Sequence, residues 1–203
     1  MHQQRQSRDY SPPASEVPQQ LRGANGAGNT SIRCDRIELE EFVKALKEIV
    51  LSEREVESAK IELALKSDFN IVDAFKMLDL RGIGGVSQND LREGLQQGLS
   101  FHNFSNDDIY LLYRRFDKLN TGQLSFQEFN RVVLPYSREY SNLVKDRVEY
   151  YSRRSGHASS YFNQDTRFEL QAFWACMLRT ERAMEALRCR LVGRPYLNLR
   201  DVF

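Results

Sequence analysis

A chain of 203 residues with 41% hydrophobic content is long enough to bury a core and too apolar to be a tail or a peptide. Its 29 Lys and Arg balance 28 Asp and Glu to a formal charge of +1, so bulk electrostatics steers it toward neither nucleic acid nor an anionic membrane, and any partner has to be recognised by local surface. Three cysteines, Cys34, Cys176 and Cys189, lie in no CxxC spacing, no run of about 18 apolar residues occurs, and the first residues hold no signal-peptide core; a soluble protein of the reducing cytoplasm is expected, without disulfide framework or zinc site.

Residues 1–31 are rich in Gln, Ser, Pro, Gly and Asn and read as a disordered N-terminal arm, because too few apolar groups are present to offset the entropy of ordering. From Asp35, a suitable N-cap, Leu39, Phe42, Val43, Leu46, Ile49 and Val50 recur at helical spacing and Val56, Ala59 and Leu63 continue the stripe. This predicts one long amphipathic helix over 32–66. Ser67 is placed to cap a second helix from Asp68 to about Leu78. A glycine-rich loop, Asp79 to Val86, comes next, followed by a short helix from near Gln88 through Leu95. Another helix starts at Ser105 with Ile109, Leu112 and Phe116, then a second glycine-centred loop and helix lead to Pro135.

Residues 136–163 read as a Tyr/Arg-rich linker in which a helix from Glu139 to Tyr150 is allowed. Aromatics interleaved with arginines are the composition of an interface, so Tyr136, Tyr140, Arg147, Tyr150, Tyr151, Arg153 and Arg154 are the candidate partner-binding residues. Finally Leu170, Phe173, Trp174, Met177, Met184, Leu187 and Leu191 form a third helical stripe, ended by Gly193 and Pro195, within a C-terminal segment 164–203. Trp174, Cys176 and Cys189 lie on or near that stripe and read as core.

Two repeats are superposed on this pattern. An offset of 38 places Asp79 on Asp117, Gly84 on Gly122, Val86 on Leu124 and Asp90 on Glu128, with Ser67, Ile71, Phe75 and Leu78 matching Ser105, Ile109, Tyr113 and Phe116. The unit, helix, twelve-residue loop with a central glycine and an aliphatic anchor, helix, resembles the EF-hand of the calmodulin superfamily. That resemblance implies an all-α fold over 67–135, with a minimal two-stranded pairing between the loops and long amphipathic helices flanking the pair. It also implies oxygen ligands for calcium at loop positions 1, 3, 5, 7, 9 and 12. The first loop has Arg81 at position 3 and Ile83 at position 5, a cation and a hydrocarbon where oxygens belong. The second keeps Asp117, Thr121, the Gln123 carbonyl, Ser125 and Glu128, with Leu119 at position 3. Two carboxylates instead of three or four place its affinity near 10⁻⁴ to 10⁻³ M, roughly the weakest range of such loops. Weak calcium at Asp117–Glu128 is therefore the one cofactor expected.

An offset of 128 aligns the first long helix with the last: Phe42 on Leu170, Leu46 on Trp174, Ile49 on Met177, Val50 on Leu178, Val56 on Met184, Leu63 on Leu191. Asn70, Asp73 and Phe75 recur as Asn198, Asp201 and Phe203, so the chain stops inside the entering helix of a partial third EF-hand. Long helix, degenerate pair, Tyr/Arg linker and Trp-bearing helix together resemble EF-hand proteins of ciliates and other ciliated cells. What that resemblance implies is a cytoskeletal setting, the cilium and its axoneme, with tubulin or axonemal proteins as partners.

No GxxxxGK[ST], HExxH or GxSxG motif occurs and no Ser/His/Asp constellation can be read, so a noncatalytic structural or adaptor protein is expected. The alternative is a weak calcium sensor or regulatory subunit that opens a groove for a target helix.

Overall fold

The computed structural model describes residues 36–147 and 161–194. Seven α-helices, a π turn and one two-stranded sheet account for the ordered elements among them, and the all-α architecture is as expected. No helix of the described residues is long and apolar enough to cross a membrane. The predicted arm 1–31, the cap Asp35, the linker residues Tyr150, Tyr151, Arg153 and Arg154, and the third entering helix at 195–203 lie outside the described residues.

Two long helices form the frame: α1, Arg36–Leu65, and α7, Gln164–Val192. They run antiparallel, as their ion pairs show: Lys66 meets Glu169 at 3.5 Å, Glu55 meets Arg179 at 3.9 Å, Glu48 meets Arg190 at 3.4 Å and Glu41 meets Arg194 at 3.6 Å. The outermost of these pairs join equivalent positions of the 128-residue offset. Lys66 and Arg194 are equivalent positions, and so are Glu41 and Glu169, so the two bridges are the same interaction made twice across a local two-fold axis. Each long helix starts from one end of the frame and hands the chain on at the other.

Between them lies a compact lobe. Helix α2, Ile71–Leu78, leads through the first loop to β1, Gly85–Val86, and α3, Gln88–Glu93, which widens into a π turn over Gly94–Gly98. Helix α4, Asn106–Phe116, leads through the second loop to β2, Leu124–Ser125, and α5, Phe126–Val133. The strands pair antiparallel with Val86 opposite Leu124, each fully buried, which ties the two loops back to back. At the start of the π turn the chain passes close to the end of α2: a Cβ on Gly94 would stand 2.8 Å from the Leu78 Cα, so only glycine permits the approach.

The structure departs from the sequence reading at several points. Helix α2 is capped by Asn70, whose side chain accepts the Asp73 N–H at 2.8 Å, rather than by Ser67. The residues before it form the turn out of α1, and Asp68 faces away to accept the Asn163 N–H at 2.7 Å and the Thr166 hydroxyl, bracing the start of α7, which Asn163 caps. Helix α6, Arg138–Lys145, is shorter than the Glu139–Tyr150 segment allowed by sequence. Cys189 is exposed, while Cys176 is buried as expected. In the first half of α1, Leu39, Val43, Leu46 and Val50 are exposed rather than core; the inward face there is Glu38, Phe42 and Ala45.

Candidate functional site

The two loops share one backbone solution. In the first, the Asp79 carboxylate accepts the N–H groups of Ile83 at 3.1 Å and Gly84 at 2.8 Å; in the second, Asp117 accepts those of Thr121 and Gly122, both at 2.9 Å. Gly84 and Gly122 turn the chain with φ of 77° and 72°, a region that L side chains avoid. Each loop then closes into a capping box. Ser87 pairs reciprocally with Asp90, and Ser125 with Glu128, so the position-12 carboxylate is fixed on the first turn of the exiting helix.

What fills the middle of each loop differs. In the first, the Arg81 guanidinium reaches across and places Nη2 2.6 Å from Asp90 Oδ2, the carboxylate that would otherwise grip an ion. Burial opposes charge on Asp90, but the bonds from Ser87 and Arg81 outweigh it and hold the carboxyl below its ordinary range. The residues do not fit calcium: position 3 is a cation already bonded to position 12, and Ile83 offers no oxygen.

The second loop fits in part. Asp117 and Glu128 are buried and make no ion pair among the described residues; Glu128 Oε2 accepts from Ser125, while Oε1 is buried without a hydrogen-bond partner among them. The Thr121 hydroxyl donates to the Gln123 carbonyl at 2.8 Å, which draws two further oxygens of the loop together. Asp117, Thr121, the Gln123 carbonyl, Ser125 and Glu128 are the residues that would hold the ion, and the ion would supply the missing partner for Glu128 Oε1. Leu119 contributes none, and no cluster of three His, Cys, Asp or Glu suited to a metal exists among the described residues. Between the loops, Tyr113 donates its hydroxyl to the Val86 carbonyl at 3.1 Å; burial, and the nearby carboxylates of Asp117, Glu128 and Asp90, push its phenol up to about 12.

The apolar groove of the lobe is filled from within. Aromatic rings run from α2 to α7 in an unbroken series: Phe75 edge-on to Phe129 at 5.5 Å, Phe129 stacked on Phe116 at 6.3 Å, and Phe116 against Trp174 at 5.6 Å. Trp174 is buried in the frame as the sequence suggested. Ion pairs also join the lobe to the long helices. Arg182 of α7 forks onto Asp108 through Nε at 2.6 Å and Nη2 at 2.5 Å, holding that carboxyl far below the carboxylate range. Arg115 of α4 reaches Glu53 of α1 at 2.7 Å and Glu181 of α7 at 2.5 Å. Burial alone would lower the Arg115 pKa, but these two acidic partners outweigh it and raise it.

Of the candidate partner residues, Tyr136 is exposed, with its N–H on Glu57 at 2.7 Å and its ring 4.8 Å from Lys60 Nζ. Tyr140 is half-buried on the core. Arg147 is engaged inside the chain: its guanidinium donates to the carbonyls of Ala64, Lys66 and Phe69 at 2.5–2.8 Å, closing the C-terminal end of α1. Sequence reasoning missed Arg115, Arg182 and Asp68. The signal for the first was available, since Glu53 and Glu181 are equivalent positions of the 128-residue repeat.

Residues 68–134 match the family model of the EF-hand domain pair. No curated protein and no solved structure matches the chain. Residues 68–134 are thus similar to the EF-hand domain pair, a module that is typically noncatalytic and calcium-binding.

Proposed function

We propose that this chain is a noncatalytic adaptor whose EF-hand pair serves as a fixed block on a helical frame, working without calcium within a cytoskeletal assembly of the ciliary, axonemal kind. The observation that carries the reading is the filled groove: Trp174 occupies the place a sensor lobe keeps for its target, and Arg182, Arg115 and Arg81 close the lobe with cations of the chain itself. A lobe so closed presents its outside rather than its groove. On that outside, a cleft of about 530 Å³ is lined by six cationic side chains; Arg115 is met by Glu53 and Glu181, Arg114 and Arg188 by Glu185 and Lys60 by Glu57, while Lys118 and Arg131 make no ion pair among the described residues. An acidic protein surface, tubulin or an axonemal neighbour, suits that cleft, and Tyr136 lies on its rim. The cytoskeletal setting rests on the resemblance to ciliary EF-hand proteins. Co-sedimentation with microtubules or axonemes tests it: retention in the pellet, reduced by Lys118→Glu with Arg131→Glu, is the expected result, and a chain wholly in the supernatant overturns it.

A second reading, weak calcium binding at the second loop, is favoured by the unpartnered Glu128 Oε1. Calorimetry at millimolar calcium distinguishes the two. Heat that vanishes in Glu128→Gln supports binding at this loop, and a flat titration removes calcium from the protein's working altogether.

A further inference from the structure

The cleft on the outside of the lobe is unevenly neutralised. Three of its six cations are matched: Arg115 by Glu53 and Glu181, Arg114 and Arg188 by a shared Glu185. Lys118 of the second loop and Arg131 of α5 are exposed and make no ion pair among the described residues. Lys60 of α1 is intermediate. Its Nζ stands 3.7 Å from Glu57 Oε2, beyond hydrogen-bond length, and that oxygen is buried with no hydrogen-bond partner among the described residues; the other oxygen of Glu57 accepts the Tyr136 N–H at 2.7 Å. Lys60 is 3% exposed, and burial pushes its ammonium pKa down, the mark of a charge that its surroundings do not fully compensate.

The matched arginines and their three carboxylates cancel, whereas Lys60, Lys118 and Arg131 stand against Glu57 alone. An excess of two positive charges remains, contributed from three elements. Lys60 and Lys118 share the neighbourhood of Glu53, whose carboxyl is held below its ordinary range by the Arg115 hydrogen bond first, and by both ammoniums as well. Val132, Met184 and the Tyr136 ring complete the lining, and apolar walls strengthen the field of the cations by excluding water. A carboxylate entering here would cancel one charge. A phosphate monoester carries about −1.5 to −2 at neutral pH and offers three acceptor oxygens, one for each of the three groups.

We propose that this cleft is a receiving site for a phosphoryl dianion, held by Lys118 and Arg131 from its exposed side and by Lys60 from its buried side. An arginine fork with two ammoniums is a donor set suited to phosphoryl oxygens. The inference deepens the adaptor reading and rests on the same cleft, because a phosphorylated side chain is one form in which an acidic partner fills it; a free phosphate is the other source of the same group. Its test needs no cytoskeletal partner. Pelleting with axonemes can fail while phosphate binds, and phosphate binding can fail while pelleting persists.

NMR shift titrations of the full chain at low ionic strength, with inorganic phosphate and with potassium chloride at matched ionic strength, test the site. Saturable shifts at Lys118, Arg131 and Tyr136 are expected for phosphate alone, with Kd on the order of millimolar. Lys118→Gln with Arg131→Gln should weaken binding by about tenfold or more, and Lys44→Gln, an exposed lysine of α1 outside the cleft, should change it by less than about twofold. Lys60→Met keeps the length of the buried side chain and should weaken binding too, with thermal melting as the check on folding. A phosphoserine peptide that outbinds inorganic phosphate and its own unphosphorylated form assigns the group to a partner protein; inorganic phosphate bound as tightly as the peptide assigns it to a free phosphate. Chloride that reproduces the shifts, binding indifferent to the Lys118 and Arg131 double variant, or an unphosphorylated peptide bound as well as the phosphorylated one overturns the proposal.

Discussion

A guanidinium in place of an ion differs in one respect above all: it cannot leave. Arg81 is tethered two residues from Asp79 and finds Asp90 at 2.6 Å, so the first loop carries its cation at a fixed, high effective concentration whatever the calcium level. Its side chain is half in solvent, so the pair contributes modestly. Arg81→Gln should destabilise the lobe by about 1 kcal/mol in urea unfolding, and should not restore calcium heat, because Ile83 still offers no oxygen. A gain of calcium binding in that variant would mean the arginine alone had silenced the loop. Tyr113 gives a second residue-scale test. Unfolded tyrosine ionises near about 10 and the folded phenol is pushed up to about 12, so the folded state holds the proton more tightly. The resulting stabilisation is complete below about pH 10 and is lost as pH rises toward 12. Tyr113→Phe should flatten that alkaline loss and cost about 1 kcal/mol at neutral pH for the bond to the Val86 carbonyl, measured by unfolding across pH.

At the scale of elements, the two glycines of the π turn separate backbone from side-chain constraint. A Cβ on Gly94 meets the Leu78 Cα at 2.8 Å, and backbone cannot step aside; a Cβ on Gly98 meets the Met77 Cγ at 2.6 Å, and an unbranched thioether chain can turn away. Gly94→Ala should therefore cost about 2–3 kcal/mol and Gly98→Ala about 1, both read from thermal unfolding. The reverse order would show the α2 end to be more yielding than its packing implies. Neither glycine carries a turn signal in the sequence, because the constraint comes from a helix sixteen residues upstream in space alone. What the sequence did make legible was whatever repeats. The loops, their glycines, the Val86–Leu124 anchor and the capping carboxylates at 90 and 128 all follow from an offset of 38, and the equivalence of the long helices from an offset of 128. Illegible was which equivalent position is covered. Leu46 and Trp174 share one helical pattern, and periodicity reports that a residue is apolar without reporting what packs on it. Asn70 displaced Ser67 as a cap for a related reason: both are good N-caps, and the turn out of α1 decides between them.

For the whole molecule, the decisive contact is the one that ties all three parts. Arg115 rises from the lobe between Glu53 of α1 and Glu181 of α7, close to the two-fold axis of the frame, and Glu181 is buried where water cannot replace a lost partner. Removing a guanidinium from such a site leaves a carboxylate unpaired, and the cost of that stranded charge exceeds the worth of the pair itself. Arg115→Ala should accordingly destabilise by about 3 kcal/mol or more, and it should do so through the join between lobe and frame, with hydrogen exchange accelerating first in α4 and along the Glu53–Ala64 half of α1. Adding Glu181→Leu to Arg115→Met removes the stranded charge and fills the space with hydrocarbon, so this double variant should recover most of the loss. A double variant no more stable than Arg115→Ala would show that the lobe is held by its aromatic series, Phe129, Phe116 and Trp174, and that the ion triad merely orients it. In that case Trp174→Ala, which empties the groove, would carry the larger penalty, about 3–5 kcal/mol, and would leave the lobe with the open groove of a sensor.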